Sequence, residues 1–179
     1  MRLRIYHPRI LAIDLRPTRF AYALFEGPKL LLDYGMGAYP DGEGGRVVAA
    51  GKRFAGLLNL CSPAAVVVKR ERWVSSKTDP SEPSTAKAIA REASAHSIPV
   101  HLLGEKELRA TYRNLGCETK YQMASALTRV FPELLWKLPS ERRIWQSEHP
   151  RMSLFDAIGL GLAYWQHETT ELSPPSDLS

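Results

Sequence analysis

The residues best equipped for chemistry are few and scattered. Asp14 closes the apolar run Ile10-Leu11-Ala12-Ile13, and a carboxylate at the rim of a buried strand must be paired, hydrogen-bonded or bound to a cation. Two readings of Asp14 stand open: a strand-end turn former, which Pro17 just beyond favours locally, or half of a metal site. Lys69, Arg70 and Arg72 are interleaved with Glu71 and Trp73, while Arg142 and Arg143 lie beside Trp145. Basic side chains next to aromatic rings suit phosphate contact and base stacking, although the same runs occur as plain solvated surface. The formal net charge of +5 permits a nucleic-acid partner without requiring one.

The elements that must position these residues can be read from periodicity. With 179 residues, 44% of them hydrophobic and 24% charged, the chain is long enough for one domain with a full core. Cys61 and Cys117 are far apart and belong to no Cys/His cluster, which indicates neither zinc nor a disulfide framework and fits a reducing cytoplasm. No apolar stretch approaches the ~20 residues that cross a bilayer, and no long apolar segment follows Arg2 and Arg4.

The run ending on Asp14 reads as a strand buried on both faces, hence the centre of a covered sheet. Arg19 to Phe25 and Leu30 to Tyr34, interrupted by Glu26-Gly27-Pro28-Lys29, read as two further strands of an antiparallel meander. A Gly/Asp-rich loop is expected from Gly35 to Gly45. Val47, Ala50, Phe54, Leu57 and Leu58 recur at helical spacing, and Ala64-Ala65-Val66-Val67-Val68 is the return strand. A loop over 75–84 precedes a helix faced by Ala86, Ile89, Ala90 and Ala93; Pro99 to Leu103 makes a fifth strand. The remainder is helical: Glu105 to Asn114, Thr119 to about Phe131 with Thr119 and Gln122 as a capping box, and Ser153 to about His167. Pro132 must kink or restart the second of these helices. This pattern predicts an α/β domain over 1–167, a five-stranded mixed sheet covered by helices on both faces. Residues 168–179, with Pro174 and Pro175, have nothing to bury and read as a disordered tail.

The ordered set of Ile10-Leu11-Ala12-Ile13-Asp14, Tyr22 eight residues on, the apolar strand after Pro63, Lys120-Tyr121-Gln122-Met123 and Asp156-Ala157 resembles the RuvC-type Holliday-junction resolvases. These are ribonuclease-H-like nucleases, and the similarity spans about residues 9 to 167. The resemblance implies a metal-dependent endonuclease acting on branched DNA as a homodimer, with carboxylates holding two Mg²⁺ or Mn²⁺ ions. Two such cations ~3.5 to 4 Å apart activate water and stabilise the leaving oxygen, and they take oxygen ligands. Asp14 and Asp156 match the family's pattern. Lys69 stands where the family has a glutamate, with Glu71 two residues on and displaced by roughly 6.6 Å of strand rise. Ser153 stands where the family has an acidic residue or a histidine, and His149 or Glu148 could replace it. The resemblance thus makes Asp14, Glu71 and Asp156 the catalytic and metal candidates, joined by His149. Lys120, with Lys69, Arg70 and Arg72, would contact phosphates.

Each assignment has a plainer alternative. Ser153 to Asp156 is also a capping-box pattern, Glu71 could neutralise its basic neighbours, Lys120 could be a solvated helix lysine, and Tyr22 could simply pack in the core. With Lys69 and Ser153 at two expected acidic positions, a non-catalytic nucleic-acid-binding protein with a degenerate metal site is the competing reading.

Overall fold

The computed structural model describes residues 7–39, 45–70, 84–143 and 145–171. Glu71, Arg72, the loop expected over 75–84 apart from Ser84, and the tail beyond 171 lie outside the described residues.

Five strands form one sheet: β1 (Arg9–Leu15), β2 (Arg19–Glu26), β3 (Leu31–Ala38), β4 (Ala65–Lys69) and β5 (Val100–Leu103). Their order is β3-β2-β1-β4-β5. β1 pairs antiparallel with β2 and parallel with β4, and β4 pairs parallel with β5. This is the five-stranded mixed sheet that the sequence pattern predicts, in the arrangement that the resemblance implies.

The period-two alternation of the strands sorts their side chains onto two faces. Ile10 and Ala12 of β1, Ala21, Ala23 and Phe25 of β2, and Ala65 and Val67 of β4 enter one core. Leu11, Ile13, Leu15, Phe20, Leu24, Val66 and Val68 enter the other. Helices α1 (Gly45–Cys61) and α2 (Thr85–Ala95) cover the second core through Ala50, Phe54, Leu58, Ala86, Ile89 and Ala93. The first core is closed by α3 (Glu105–Asn114), α4 (Lys120–Val130), a 3₁₀ turn over Pro132–Lys137 and α5 (Met152–Glu171). The 3₁₀ turn is the restart that Pro132 imposes, since its ring cannot continue α4. The last helix runs to Glu171, beyond the end at about His167 that its apolar periodicity gives.

Helix α5 lies close on the sheet because small residues let it. Ala12, Ala21 and Ala23 are fully buried beneath it, and a Cβ placed on Gly161 would sit 2.2 Å from Phe25 Cε2. That approach brings the first turn of α5 to the carboxyl ends of β1 and β4.

One expectation needs correction. The loop predicted from Gly35 is strand as far as Ala38. Gly35 pairs with Tyr22 and Gly37 with Phe20, and a Cβ at either glycine would come within 2.8 Å and 2.6 Å of those rings. The glycines are there because aromatic side chains of β2 lie across them, so they mark a close approach within a strand and not a turn. Tyr22 is half-buried against the second core, as the packing reading has it. Its hydroxyl donates to Asp33 Oδ2 at 2.9 Å, and burial with that carboxylate pushes its pKa up to about 12.

Candidate functional site

Asp14 is the penultimate residue of β1 and shares a face with Ile10 and Ala12, so it points toward α5. It is 2% exposed and is the one carboxylate in the fully buried set among the described residues. Its charge is compensated by two neighbours. Ser153, in the first turn of α5, donates its hydroxyl to Asp14 Oδ2 at 2.5 Å, and Arg16 donates Nε to the same oxygen at 2.6 Å. Ser153 is therefore the hydrogen-bond partner of a strand carboxylate and does not act as the cap of its own helix, which starts one residue earlier.

Arg16 lies two residues after Asp14, which puts both side chains on the same side of the chain. Its guanidinium reaches further: Nη2 donates to Asp156 Oδ2 at 2.6 Å, and Nη1 lies 3.5 Å from Glu148 Oε2. One planar fork thus bridges three carboxylates with three different nitrogens, the geometry for which arginine is suited. Lys120 closes the other side. The capping box is present, with Thr119 Oγ1 accepting from the Gln122 backbone and Gln122 Oε1 accepting from the Thr119 backbone, and it fixes Lys120 as the first residue of α4. The Lys120 ammonium donates to Glu148 Oε1 at 2.9 Å and to Asp156 Oδ2 at 3.1 Å.

Burial and charge oppose one another here. Burial pushes the Asp156 carboxyl above its ordinary value, the Lys120 charge pulls it back, and Asp14 adds to the rise. Burial also raises Glu148, but its bond and charge interaction with Lys120, helped by Arg16 and Arg142, outweigh this and hold it below the usual range. Desolvation lowers Lys120, and its two carboxylate partners more than compensate, so it is held firmly protonated.

Asp14, Arg16, Lys120 and Asp156 line an open cleft of about 540 Å³. Its walls carry Lys69 at the end of β4, Glu105, Arg109, Tyr112 and Arg113 of α3, and Glu118. Burial, with Asp156 next, pushes the Tyr112 hydroxyl well above its normal pKa. A second hollow adjoins it behind Lys120, lined by Arg142, Glu148 and His149 among others. Trp145 is 77% exposed, with the Arg143 guanidinium 5.7 Å from its ring centroid.

The structure thus brings together Asp14, Asp156 and Lys120 of the sequence candidates, and places Lys69 on the same cleft. It adds Glu148, weighed beside His149 in the sequence, and Arg16, which sequence reading missed. The signal for Arg16 was present in its spacing two residues from Asp14. His149 is exposed, and its Nδ1 accepts from the Arg151 backbone at 3.1 Å. Arg70 is exposed and donates Nη2 to the Leu102 carbonyl at 3.2 Å, at the β5 edge. Glu71 and Arg72 lie outside the described residues.

The described site does not fit the divalent ions that the resemblance implies. One oxygen of each aspartate, Asp14 Oδ2 and Asp156 Oδ2, already accepts from Arg16 and from Ser153 or Lys120, so two cationic side chains stand where a metal ion would. Lys69 brings a further positive charge to the cleft, and Ser153 offers a hydroxyl already committed to Asp14. Among the described residues, no three His, Cys, Asp or Glu side chains are grouped to hold a metal ion.

The sheet order, with helices on both faces and a charged cleft at the carboxyl ends of parallel strands, is a ribonuclease-H-like fold. No protein-family model matches the sequence, and no curated protein is detectably similar to it. Among solved structures, the chain is similar to Thermus thermophilus RuvC in complex with a Holliday-junction substrate, with a TM-score of 0.65 and 18% identity over 92% of this chain and 96% of that one. A second Thermus thermophilus RuvC structure gives 0.63 and 16%, covering 92% and 97%. The yeast mitochondrial Holliday-junction resolvase Ydc2 gives 0.59 and 17%, covering 94% and 84%. The resemblance read in the sequence is thus matched by the fold across nearly the whole chain. Among the described residues, no helix is long and apolar enough to cross a membrane.

Proposed function

We propose that this chain is a RuvC-like protein that binds branched DNA, such as a four-way junction, and holds it without hydrolysing it. The observation that carries the reading is the Arg16 guanidinium seated between Asp14 and Asp156; the resemblance, which sets Lys69 and Ser153 against two further ligand positions of the resolvases, supports it. The branched partner is suggested by the similar RuvC whose structure contains a Holliday-junction substrate. Lys69, Arg109 and Arg113 on the cleft would meet phosphates, and the exposed Trp145 with Arg142 and Arg143 offers a stacking surface on the adjoining rim. The homodimer of the resolvases and a cytoplasmic location, where Cys61 and Cys117 stay thiols, belong to the same proposal.

Fluorescence anisotropy with a four-way junction, a linear duplex of the same sequence and a single strand tests it. The junction should bind most tightly, its affinity should fall steeply with salt, and Lys69→Ala should reduce that salt slope by about one unit. Equal affinity for all three DNAs would count against the reading. Sedimentation at equilibrium reports the dimer.

The second reading is a Mg²⁺- or Mn²⁺-dependent endonuclease using Asp14 and Asp156, with Glu71 and His149 completing its ligands. It is favoured by one observation: both aspartates face a single cation position, the one Arg16 holds. Incubating junctions with either ion decides between the two. Cutting that Asp14→Asn removes establishes the nuclease; intact junctions under conditions where binding is saturated support the binding protein.

A further inference from the structure

We infer that Arg16 is the resident cation of the carboxylate cluster, and that Asp14 and Asp156, the pair it bridges, take a divalent ion only when this guanidinium is removed. The side chain of Arg16 is 14% exposed, that of Asp14 3% and that of Asp156 16%, so all three interact where solvent screens them little. Arg16 spends a separate nitrogen on each of the three carboxylates. Three carboxylates against Arg16 and Lys120 leave one net negative charge. Without Arg16 two negative charges remain, which a single divalent ion balances; Asp14 Oδ2 then keeps only Ser153 and Asp156 Oδ2 only Lys120, and each carboxylate regains acceptor capacity of the hard kind that Mg²⁺ and Mn²⁺ prefer. Lys120 would remain on Glu148 and Asp156 as the second counter-ion.

The chain position of Arg16 makes this a built-in arrangement. It follows the end of β1 directly, its backbone N–H donates to the Arg19 carbonyl at 2.9 Å in the turn to β2, and Asp14 stands two residues before it. Its guanidinium is tethered at the site by the same strand that supplies the first carboxylate. A free ion must displace a group whose effective concentration is set by that tether.

The inference is independent of DNA binding, and the assay contains no DNA. Titration calorimetry with Mn²⁺ compares wild type, Arg16→Ala and Arg16→Ala/Asp156→Asn. Displacing Arg16 costs two short charge-assisted hydrogen bonds, so Arg16→Ala should bind Mn²⁺ about a hundredfold more tightly than wild type, and the added Asp156→Asn should abolish that gain. Mn²⁺ should raise the melting temperature of Arg16→Ala and leave that of wild type unchanged. A folded Arg16→Ala that binds Mn²⁺ no better than wild type overturns the inference, as does saturable Mn²⁺ binding by wild type that Asp156→Asn removes. If Arg16→Ala does not fold, NMR of wild type decides: Mn²⁺-induced broadening centred on Asp14 and Asp156 overturns the inference, and sharp resonances there support it. Weak junction binding would remove the proposed function and leave this result standing.

Discussion

The two faces of the sheet are built by the same alternation and end differently. On the α1/α2 face, β1 contributes Leu11, Ile13 and Leu15 and β4 contributes Val66 and Val68, so the face is apolar to its end. On the α5 face the same strands run through Ile10, Ala12 and Val67 and then carry Asp14 and Lys69, with Arg16 just beyond. The first face needs only complementary volume. The second closes over a buried carboxylate, Asp14, that would be costly alone, and it holds that charge with the Arg16 guanidinium and the Ser153 hydroxyl, while the Lys120 ammonium holds the neighbouring Asp156.

The strongest way to break the contrast is to remove the compensation. Arg16→Ala leaves Asp14 buried with only Ser153 beside it, and should lower unfolding stability by about 3–5 kcal/mol in metal-free buffer. Urea denaturation measures this, and an unchanged midpoint would mean that the guanidinium does not stabilise the charged face.

Glycine positions sharpen the comparison in packing terms. Gly161→Ala drives a Cβ into Phe25, and overpacking of this kind costs about 1–3 kcal/mol. On the opposite face, a Cβ on Gly51 of α1 would meet its nearest neighbour, Arg91 Nη2, at an ordinary 3.5 Å. Gly51→Ala should therefore stabilise the protein by about 0.5–1 kcal/mol through the lower entropy of the unfolded chain. Thermal melts of the two variants should move in opposite directions.

A smaller effect is expected at the cap that places Lys120. Thr119→Ala removes the hydroxyl that accepts from the Gln122 backbone and should cost about 1 kcal/mol, read from the chemical-denaturation midpoint.

The shallowest effect is the pH dependence of the charged face. The Asp156 pKa is raised on folding, so its contribution to stability is present below the unfolded value and lost as pH rises through the folded one. Glu148 is lowered; its contribution is present above the unfolded value and lost as pH falls through the folded one. The two oppose each other, and wild-type stability should change little across the acid range. Asp156→Asn should steepen the loss on acidification, whereas Glu148→Gln should flatten or reverse it. Urea midpoints against pH check the signs.

Much of the fold was legible because period-two and helical patterns report local burial directly. The five strands, the capping box at Thr119 and the restart at Pro132 follow from such patterns. The end of β3 was misread because Gly35 and Gly37 look like turn residues until Tyr22 and Phe20 are seen lying across them. Of the site, Asp14 was legible as a charge that needed compensation, and the sequence spacing of Asp14 and Arg16 already placed them on one side of the chain. What only the tertiary structure decided is which groups answer that need. Arg16 reaches Asp156 across 140 residues of sequence and Ser153 reaches Asp14 across 139, because α5 is drawn onto the sheet by Ala12, Ala21, Ala23 and Gly161. Contacts between residues so distant are set by how the elements pack, and no local pattern of side chains encodes them.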